Sequence, residues 1–549
     1  MDVKHDEVIR PLANFHPSVW GDQFLVYNED QEKQTEAEQM IKILKEEVRK
    51  EIVVAFDASA KDHMNLLKLV NAIKRLGVAY YFEKEIDEAL QHIYIVYGDK
   101  WNGDSPSLWF RLLREHGYSV SCNSFNCYKD DTGSFKESLT NDVQCLLDLY
   151  EATYLRVHGE AILDDALDFT KTHLENISKD PLRCNSALRR HIMEALERPI
   201  RKRLPRLDAV RYIPFYEQQV SHNKSLLKLA KLGFNVLQSL HKKELSQVTK
   251  WWKGLDAPKN LPYMRDRLVE CYFWIFSVYF EPQYSRSRIF LSKVILMAMV
   301  IDDTYDAYGT YKELDIFTKA FQRWSTTCLD SLPDYMKLIY KRMLGVYEEM
   351  EEIMAKEGRA YEVSYAKESM IEYIENHMKE ARWREEGYVP TMEEIKLVRF
   401  MTCGYKMLAT SSFVGMGDVI TEEALKWVEA NPPIVNAAAA ICRFMDDVVG
   451  HKEEHEREHV ASSLDSYMTQ LNTREEEKVV DMIIQHVEDA WKDINRELLI
   501  CKNIPMRLMM NVLNLARVID TLYKYKDTFT NVGEEFKDHI RSCFVHTMS

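Results

Sequence analysis

Three carboxylates stand within five positions in the stretch Val294–Gly309, VILMAMVIDDTYDAYG: Asp302, Asp303 and Asp306. Eight apolar residues without Gly or Pro precede them, which reads as a buried helix. Asp302 and Asp306 are i,i+4 neighbours, and Asp303 sits on the adjoining face. Gly309 is a plausible C-cap, which would put the acids in the last turns. There the helix dipole disfavours negative charge, and the acids repel one another. A divalent cation would relieve both costs, and hard oxygen ligands without His or Cys suit Mg²⁺ rather than Zn²⁺. Taken alone, the same pattern could be a solvated acidic helix end.

A second acidic cluster, RFMDDVVGHKEEHEREH, spans Arg443–His459 and follows the small-residue apolar run Ala437–Cys442. Asp446, Gly450 and Glu454 fall at i, i+4 and i+8 and share one helix face. Asp447 and Glu453 fall off that face and are expected in solvent or paired with Lys452 and Arg457. His451, His455 and His459 also repeat every fourth residue, but no carboxylate or thiol set completes a tetrahedral zinc site. Ahead of both clusters, Arg265 and Arg267 follow Pro262 and are expected on a loop or at a helix start. Two guanidiniums so spaced can grip a diphosphate, or simply pair with Asp266 and Glu270. Trp274 could be core or cavity wall. Thr402–Gly404 interrupts a helical run, either tolerated or exposing backbone carbonyls to a cavity. Tyr523, Asp527 and Phe529 close a Lys-rich segment that could be a lid or a terminal turn.

The elements that must position these residues are helical. Gly (18) and Pro (15) are sparse across 549 residues, and no strand alternation, fixed repeat or low-complexity tract appears. Met40, Leu44, Val48 and Ile52 recur at helical spacing, as do Leu226, Leu229, Leu232, Val236 and Leu240. An all-α fold follows. Composition changes over Arg198–Tyr216, a run with three Pro and a basic cluster expected to be a solvated inter-domain surface. Helical periodicity resumes after His222, placing two domains at residues 1–222 and 223–549. The aromatic, Pro-containing segment Arg10–Tyr27 is expected to be an ordered arm with Trp20 and Phe24 pinning it to a domain surface. Net charge of −15 argues against a nucleic-acid partner. Ten Cys without CxxC pairing suggest reduced thiols. No import signal is visible and no apolar run approaches a membrane span, so a soluble, cytoplasmic protein is expected.

Two acidic clusters at the ends of buried helices, about 140 positions apart with arginines between, suit a helical cavity whose facing walls hold Mg²⁺ around one diphosphate. The chemistry would be ionisation of an allylic diphosphate. At this point the sequence resembles the plant terpene synthases, specifically the cytosolic sesquiterpene synthases, over essentially its whole length. The resemblance rests on RPLANFHPSVWGDQF, Asp302-Asp303-x-x-Asp306, the Arg265/Arg267 pair and RFMDDVVGHKEEHEREHVASS, in that order and spacing.

The resemblance implies a relic N-terminal helical domain, silent because it lacks a DxDD motif, and a C-terminal class I catalytic domain. It implies three Mg²⁺ ions, replaceable by Mn²⁺, with Asp302 and Asp306 as ligands supported by Asp303. Asp446, Gly450 and Glu454 occupy the family's (N/D)DxxS/TxxxE positions. Arg265, Arg267 and Arg443 would bind diphosphate, and Trp274, Tyr523 and Asp527 would have catalytic roles. The aromatics and the carbonyls near Thr402–Gly404 would stabilise migrating positive charge. Two positions depart from the pattern. Gly450 replaces a hydroxyl ligand, so a water would take its place and activity would persist with a weakened Mg²⁺ requirement there. Phe529 stands where some relatives carry Tyr beside the acid at 527. The implied activity is a carbon–oxygen lyase making a sesquiterpene from farnesyl diphosphate, acting as a monomer. A chain-elongating prenyltransferase would carry a second DDxxD, and a monoterpene synthase a transit peptide and an Arg-Arg pair where this chain has Arg10 alone. A catalytically dead helical scaffold is the non-enzymatic alternative.

Overall fold

The computed structural model describes residues 10, 15–56, 60–101, 103–456 and 460–549, with the side chains of 56, 60–62 and 452–456 also outside the description. Among the described residues the chain is helical throughout, with one isolated bridge, Lys129 to Phe135, and no strand. No helix is long and apolar enough to cross a membrane.

The chain forms two compact units that interleave in sequence. One comprises Asn28–Leu240, Lys492–Met509 and His539–Ser549. The other comprises His241–Trp491 and Met510–Asp538 with the described residues up to Tyr27. Sequence composition alone suggests a single cut near residue 222. The structure instead assigns the opening arm to the second unit and the last segment to the first, because both docking surfaces are non-local and leave no mark on local composition.

In the first unit the spacing of apolar residues produces the expected core. Leu44, Val48 and Ile52 of the helix Gln31–Phe56 are buried, as are Leu226 and Leu229 near the start of Lys224–Lys253. The basic run after Arg198 corrects its reading as a solvated surface. Arg198, Arg201, Lys202, Arg203 and Arg206 are all buried. Arg203 and Arg75 both pair with the buried Asp208, and Arg201 donates to Asn495 Oδ1 at 2.9 Å. Ile200 N–H is received by Glu151 Oε2 at 2.7 Å. Buried cations persist because acids and amides drawn from distant segments satisfy them.

In the second unit six helices frame the site. They are α1 (Leu268–Val278), α2 (Ser285–Ala307), α3 (Tyr361–Glu386), α4 (Met392–Thr402), α5 (Tyr405–Ser412) and α6 (Pro433–Glu456). α2 packs on α1, α3 and α5, and α6 packs on α4 and α5. Residues 294–301 of α2 are buried on every side, as the uninterrupted apolar run requires. The helix ends with Tyr308 as its cap, and Gly309 N–H reaches Thr304 O at 2.8 Å. Gly309 is therefore not the cap itself. It is needed for space, since a Cβ there would meet Leu314 Cδ2 at 2.5 Å.

Between α4 and α5 the interruption at 402–404 is a real break: Gly404 takes φ +79° and lets the chain turn. Trp20 anchors the arm by donating Nε1–H to the buried Glu270 at 2.7 Å. Arg10 binds Glu313 at 2.8 and 2.9 Å and lies 4.4 Å from the Tyr308 ring centre, just past the end of α2.

Candidate active site

One cavity in the second unit gathers most of the residues singled out in the sequence. α2 supplies Asp302 and α6 supplies Asp446; Arg265 and Arg443 stand beside them. Below the acids the wall is apolar and aromatic, including Trp274, Ile295, Met299, Tyr373, Tyr523 and Phe529. The Thr402–Gly404 break also lines it. The enclosed space is about 130 Å³, less than the roughly 300–1,000 Å³ of typical ligand pockets. A sizeable ligand therefore requires the rim to open.

That rim is made of ion pairs. Arg265 Nη2 donates to Asp302 Oδ2 at 2.5 Å, while its Nε and backbone N–H both bind Asp303, at 2.8 and 2.7 Å. Asp302 keeps 27% side-chain exposure, whereas Asp303 keeps 2%. Burial, with Asp302 alongside, pushes the Asp303 carboxyl up from its ordinary range despite the Arg265 guanidinium. Asp303 thus holds an arginine rather than facing the cavity. Asp306, one turn on, is half-buried at the helix end. Arg384 of α3 donates to the carbonyls of Tyr305 and Asp306 at 2.8 and 3.1 Å, placing a cation where the helix dipole is negative.

The second wall repeats the arrangement. Asp446 is 29% exposed and pairs with Arg443 at 3.2 Å, four-fifths of a turn earlier on the same helix. Asp447 corrects its assignment to solvent: it is fully buried. It accepts from Arg443 at 3.3 Å, Arg399 at 3.1 Å, and the Ser463 backbone N–H and hydroxyl at 2.7 and 2.5 Å. Burial opposes its ionisation, but Arg399 and Arg443 outweigh that and hold the carboxyl below its usual range. Gly450 lies one turn past Asp446 and is half-buried. Glu454 continues the helix face, and its side chain is outside the described residues, as is that of His455; His459 lies wholly outside them. His451 Nδ1 pairs with Ser462 Oγ at 3.0 Å, away from any ligand cluster.

Arg267 does not join the cavity. It is buried and gives its N–H groups to carbonyls of Phe529 (3.0 Å), Thr530 (2.8 Å), His16 (3.0 Å) and Asp266 (3.0 Å). It clasps the arm and the 529–530 segment together. Asp527 is likewise committed to backbone, accepting from Phe529 N and Thr530 N at 2.9 and 2.8 Å. This turn presents the Phe529 ring edge-on to Trp274, 5.4 Å between centres. Trp274 is buried with its indole N–H unpartnered. Burial, then Asp527, keeps the Tyr523 phenol protonated far above neutral pH.

Sequence reading missed α3. Tyr373, His377, Glu380 and Arg384 recur at helical spacing and form one polar face of that helix, a signal that was legible. His377 is buried, with Nε2 3.9 Å from Asp302 and Nδ1 3.8 Å from Glu380, and Glu380 binds Arg399 at 3.0 Å. α3 thereby links the two acidic walls.

The acids fit hard divalent cations. Asp302 and Asp446 are oxygen donors, partly exposed, on opposed walls. Among the described residues no three Asp, Glu, His or Cys side chains converge on one point. That suits Mg²⁺, which is commonly held by one or two carboxylates, with waters and substrate phosphates completing its shell.

Comparisons with known proteins agree with this geometry. The family description "Terpene synthase, N-terminal domain" matches residues 19–196, and "Terpene synthase family, metal binding domain" matches residues 253–493. The chain is 61% identical to the sesquiterpene synthase TPS1 of Xanthium strumarium over the whole of both chains. It is 55% identical to the alpha-isocomene synthase of Matricaria chamomilla var. recutita over 98% of each. Among solved structures, limonene synthase with 2-fluorolinalyl diphosphate aligns at TM-score 0.89 and 28% identity over 98% of this chain and all of that one. Isoprene synthase of grey poplar, in complex with three Mg²⁺ ions and dimethylallyl-S-thiolodiphosphate, aligns at 0.85 and 29% over 93% and 97%. A paired-carboxylate cavity closed by arginines over an aromatic floor, and matches to both domains, lead to one conclusion: the chain belongs to the terpene synthase family, lyases that act on prenyl diphosphates with a divalent metal.

Proposed function

We propose that the protein is a sesquiterpene synthase that ionises (2E,6E)-farnesyl diphosphate and converts the allylic cation to a cyclic sesquiterpene, releasing diphosphate. The observation that carries this reading is the pair of partly exposed acids, Asp302 and Asp446, each beside an arginine, above a floor of Trp274, Tyr373, Tyr523 and Phe529. The full-length identity to named sesquiterpene synthases supports the fifteen-carbon substrate.

In this reading Asp302 and Asp306 on one wall, and Asp446 and Glu454 on the other, would hold three Mg²⁺ ions, with Mn²⁺ able to substitute. When bound, the ions neutralise diphosphate charge and make it a better leaving group. The chain does the rest. Arg265 and Arg443 exchange their carboxylate partners for diphosphate oxygens, a charge-assisted swap that costs little because both states are paired. Arg267 keeps the arm and the 529–530 segment together as the rim closes, and Arg10 holds the arm beside the end of α2. Closure excludes water, which would otherwise quench the cation. Trp274 and Phe529 offer ring faces, and the backbone carbonyls at the α4–α5 break offer negative dipoles, to the migrating charge. The enzyme acts as a cytoplasmic monomer.

The test is incubation of purified protein with Mg²⁺ and either farnesyl or geranyl diphosphate, with volatiles read by gas chromatography–mass spectrometry. Fifteen-carbon products that vanish with chelator are expected. Ten-carbon products alone would shift the substrate to geranyl diphosphate, and no product from either would overturn the reading.

A further inference from the structure

The cavity wall carries two thiols that the proposed chemistry does not use. Cys403 caps the end of α4, and Cys442 lies in α6, one turn before Asp446. They are 39 positions apart in sequence, yet both line the cavity. The Cys403 Sγ sits 3.0 Å from Phe400 O and 3.9 Å from Ala439 O, so it rests against the turn of α6 that precedes Cys442. Each thiol shifts the other's ionisation, as near neighbours do. Cys442 is buried, and Cys403 is partly exposed. By contrast, Cys271 has the Met299 thioether 3.9 Å away, a sulfur that cannot form a disulfide.

We propose that Cys403 and Cys442 form an oxidisable dithiol, a modification site at which a peroxide installs a disulfide across the active-site wall. The Cys403 sulfur attacks one peroxide oxygen; the O–O bond breaks, hydroxide leaves, and Cys403 becomes a sulfenic acid. The Cys442 sulfur then displaces water from it and forms the S–S bond. In sum, two thiols lose two protons and two electrons, and one peroxide takes them up to become two waters. The roles follow from position. Cys403 is the accessible partner. Burial opposes its ionisation, but the Cys442 thiol and the Arg443 charge together outweigh it and hold the Cys403 thiol below its ordinary range, while burial pushes Cys442 up. The more accessible sulfur is thus the nucleophile and the buried one resolves it.

Forming the bond draws the two sulfurs to an S–S length of about 2.05 Å. It ties the α4–α5 break, with the carbonyls of Thr402 and Cys403, to α6 one turn from Asp446. The α4–α5 break can then no longer shift against α6 as a ligand enters, so the oxidised protein loses turnover and regains it on reduction.

The experiment treats the full chain with limiting hydrogen peroxide, alkylates free thiols and maps peptides by mass spectrometry without reduction. The expected result is a Cys403–Cys442 cross-linked peptide that disappears after dithiothreitol. Cys442→Ser should leave a sulfenic acid at Cys403 that dimedone traps, and dimedone labelling of the native chain should be lost as the disulfide forms. Both thiols remaining alkylatable while the exposed Cys127 is oxidised would overturn the proposal. So would Cys403 ending as a sulfinic acid, or bonded to any other cysteine. The mapping needs no substrate, so it stands whether or not the chain converts farnesyl diphosphate, and it stands on the native chain if Cys442→Ser does not fold.

Discussion

The two acidic walls solve one problem with different parts. Each begins with adjacent aspartates, Asp302-Asp303 on α2 and Asp446-Asp447 on α6. In each, the first faces the cavity and the second is buried and holds an arginine. Neighbours on a helix point about 100° apart, so one side chain can line a cavity only if the next turns toward packing. The difference is what the buried acid is tied to. Asp303 holds Arg265, which sits on the loop before α1 and also donates its backbone N–H to Asp303. Asp447 is fixed within the helical frame by Arg443, Arg399 and Ser463. The first wall therefore positions a loop that can close, and the second forms a rigid back.

Asp447→Ala should have the largest effect and fall on stability, because it leaves buried Arg399 and Arg443 uncompensated. A loss of about 3–5 kcal/mol is expected, read by chemical denaturation. A variant as stable as the parent would break the claim that this acid is structural. Asp302→Asn should do the opposite. Its turnover should fall on the order of 10²–10³-fold, as when one electrostatic group of an active site is removed, while its denaturation midpoint stays close to the parent's. If both substitutions alter the same quantity, the distinction between facing and buried acid fails.

Glu270 sharpens the contrast at the loop. Burial pushes its carboxyl up to about 7, against the hydrogen bond from Trp20. Its folded value thus exceeds its unfolded one, near 4.5, so the folded state binds the extra proton between these values. Stability should fall as pH rises from about 4.5 to 7, at up to roughly 1.4 kcal/mol per pH unit. Glu270→Gln should flatten that slope in thermal melts across this range. An unchanged slope would show that the arm's anchor does not titrate. The smallest effect belongs to Gly450→Ser. Supplying a hydroxyl one turn past Asp446 should move the Mg²⁺ dependence of the rate a few-fold at most, on the scale of one neutral ligand exchanged for water. An identical Mg²⁺ curve would remove position 450 from the metal's surroundings.

The chain's periodicity made its helices legible: the apolar spacing at 44–52, 226–229 and 294–301 became buried faces, with Met40, Leu232 and Val236 partly buried against the same core. The carboxylates at 302 and 446 were legible too, because acids ending long apolar runs have few structural uses. Other residues misled for a common reason. Arg267 shares its spacing and type with Arg265, yet its partners are the carbonyls of His16, Phe529 and Thr530, more than 250 positions away. The basic run at 198–206 looks like surface because local composition offers it only Asp208 and says nothing of Glu151 and Asn495 converging on it. Asp447 was placed in solvent by helix-face counting, which locates a side chain but not what packs there. The polar face of α3, at 373, 377, 380 and 384, obeyed the same periodicity and needed only to be counted.

By itself the sequence determined the helical class, the two acidic clusters and the chemistry they suit, since these depend on residue type and spacing along a single helix. Only the tertiary structure decided which of each aspartate pair faces the cavity, that Arg267 ties the arm to the 529–530 segment, and that Cys403 and Cys442 line one cavity. Those outcomes depend on helices packed from distant parts of the chain. Desolvation makes each buried charge or thiol take the partner that packing brings to it.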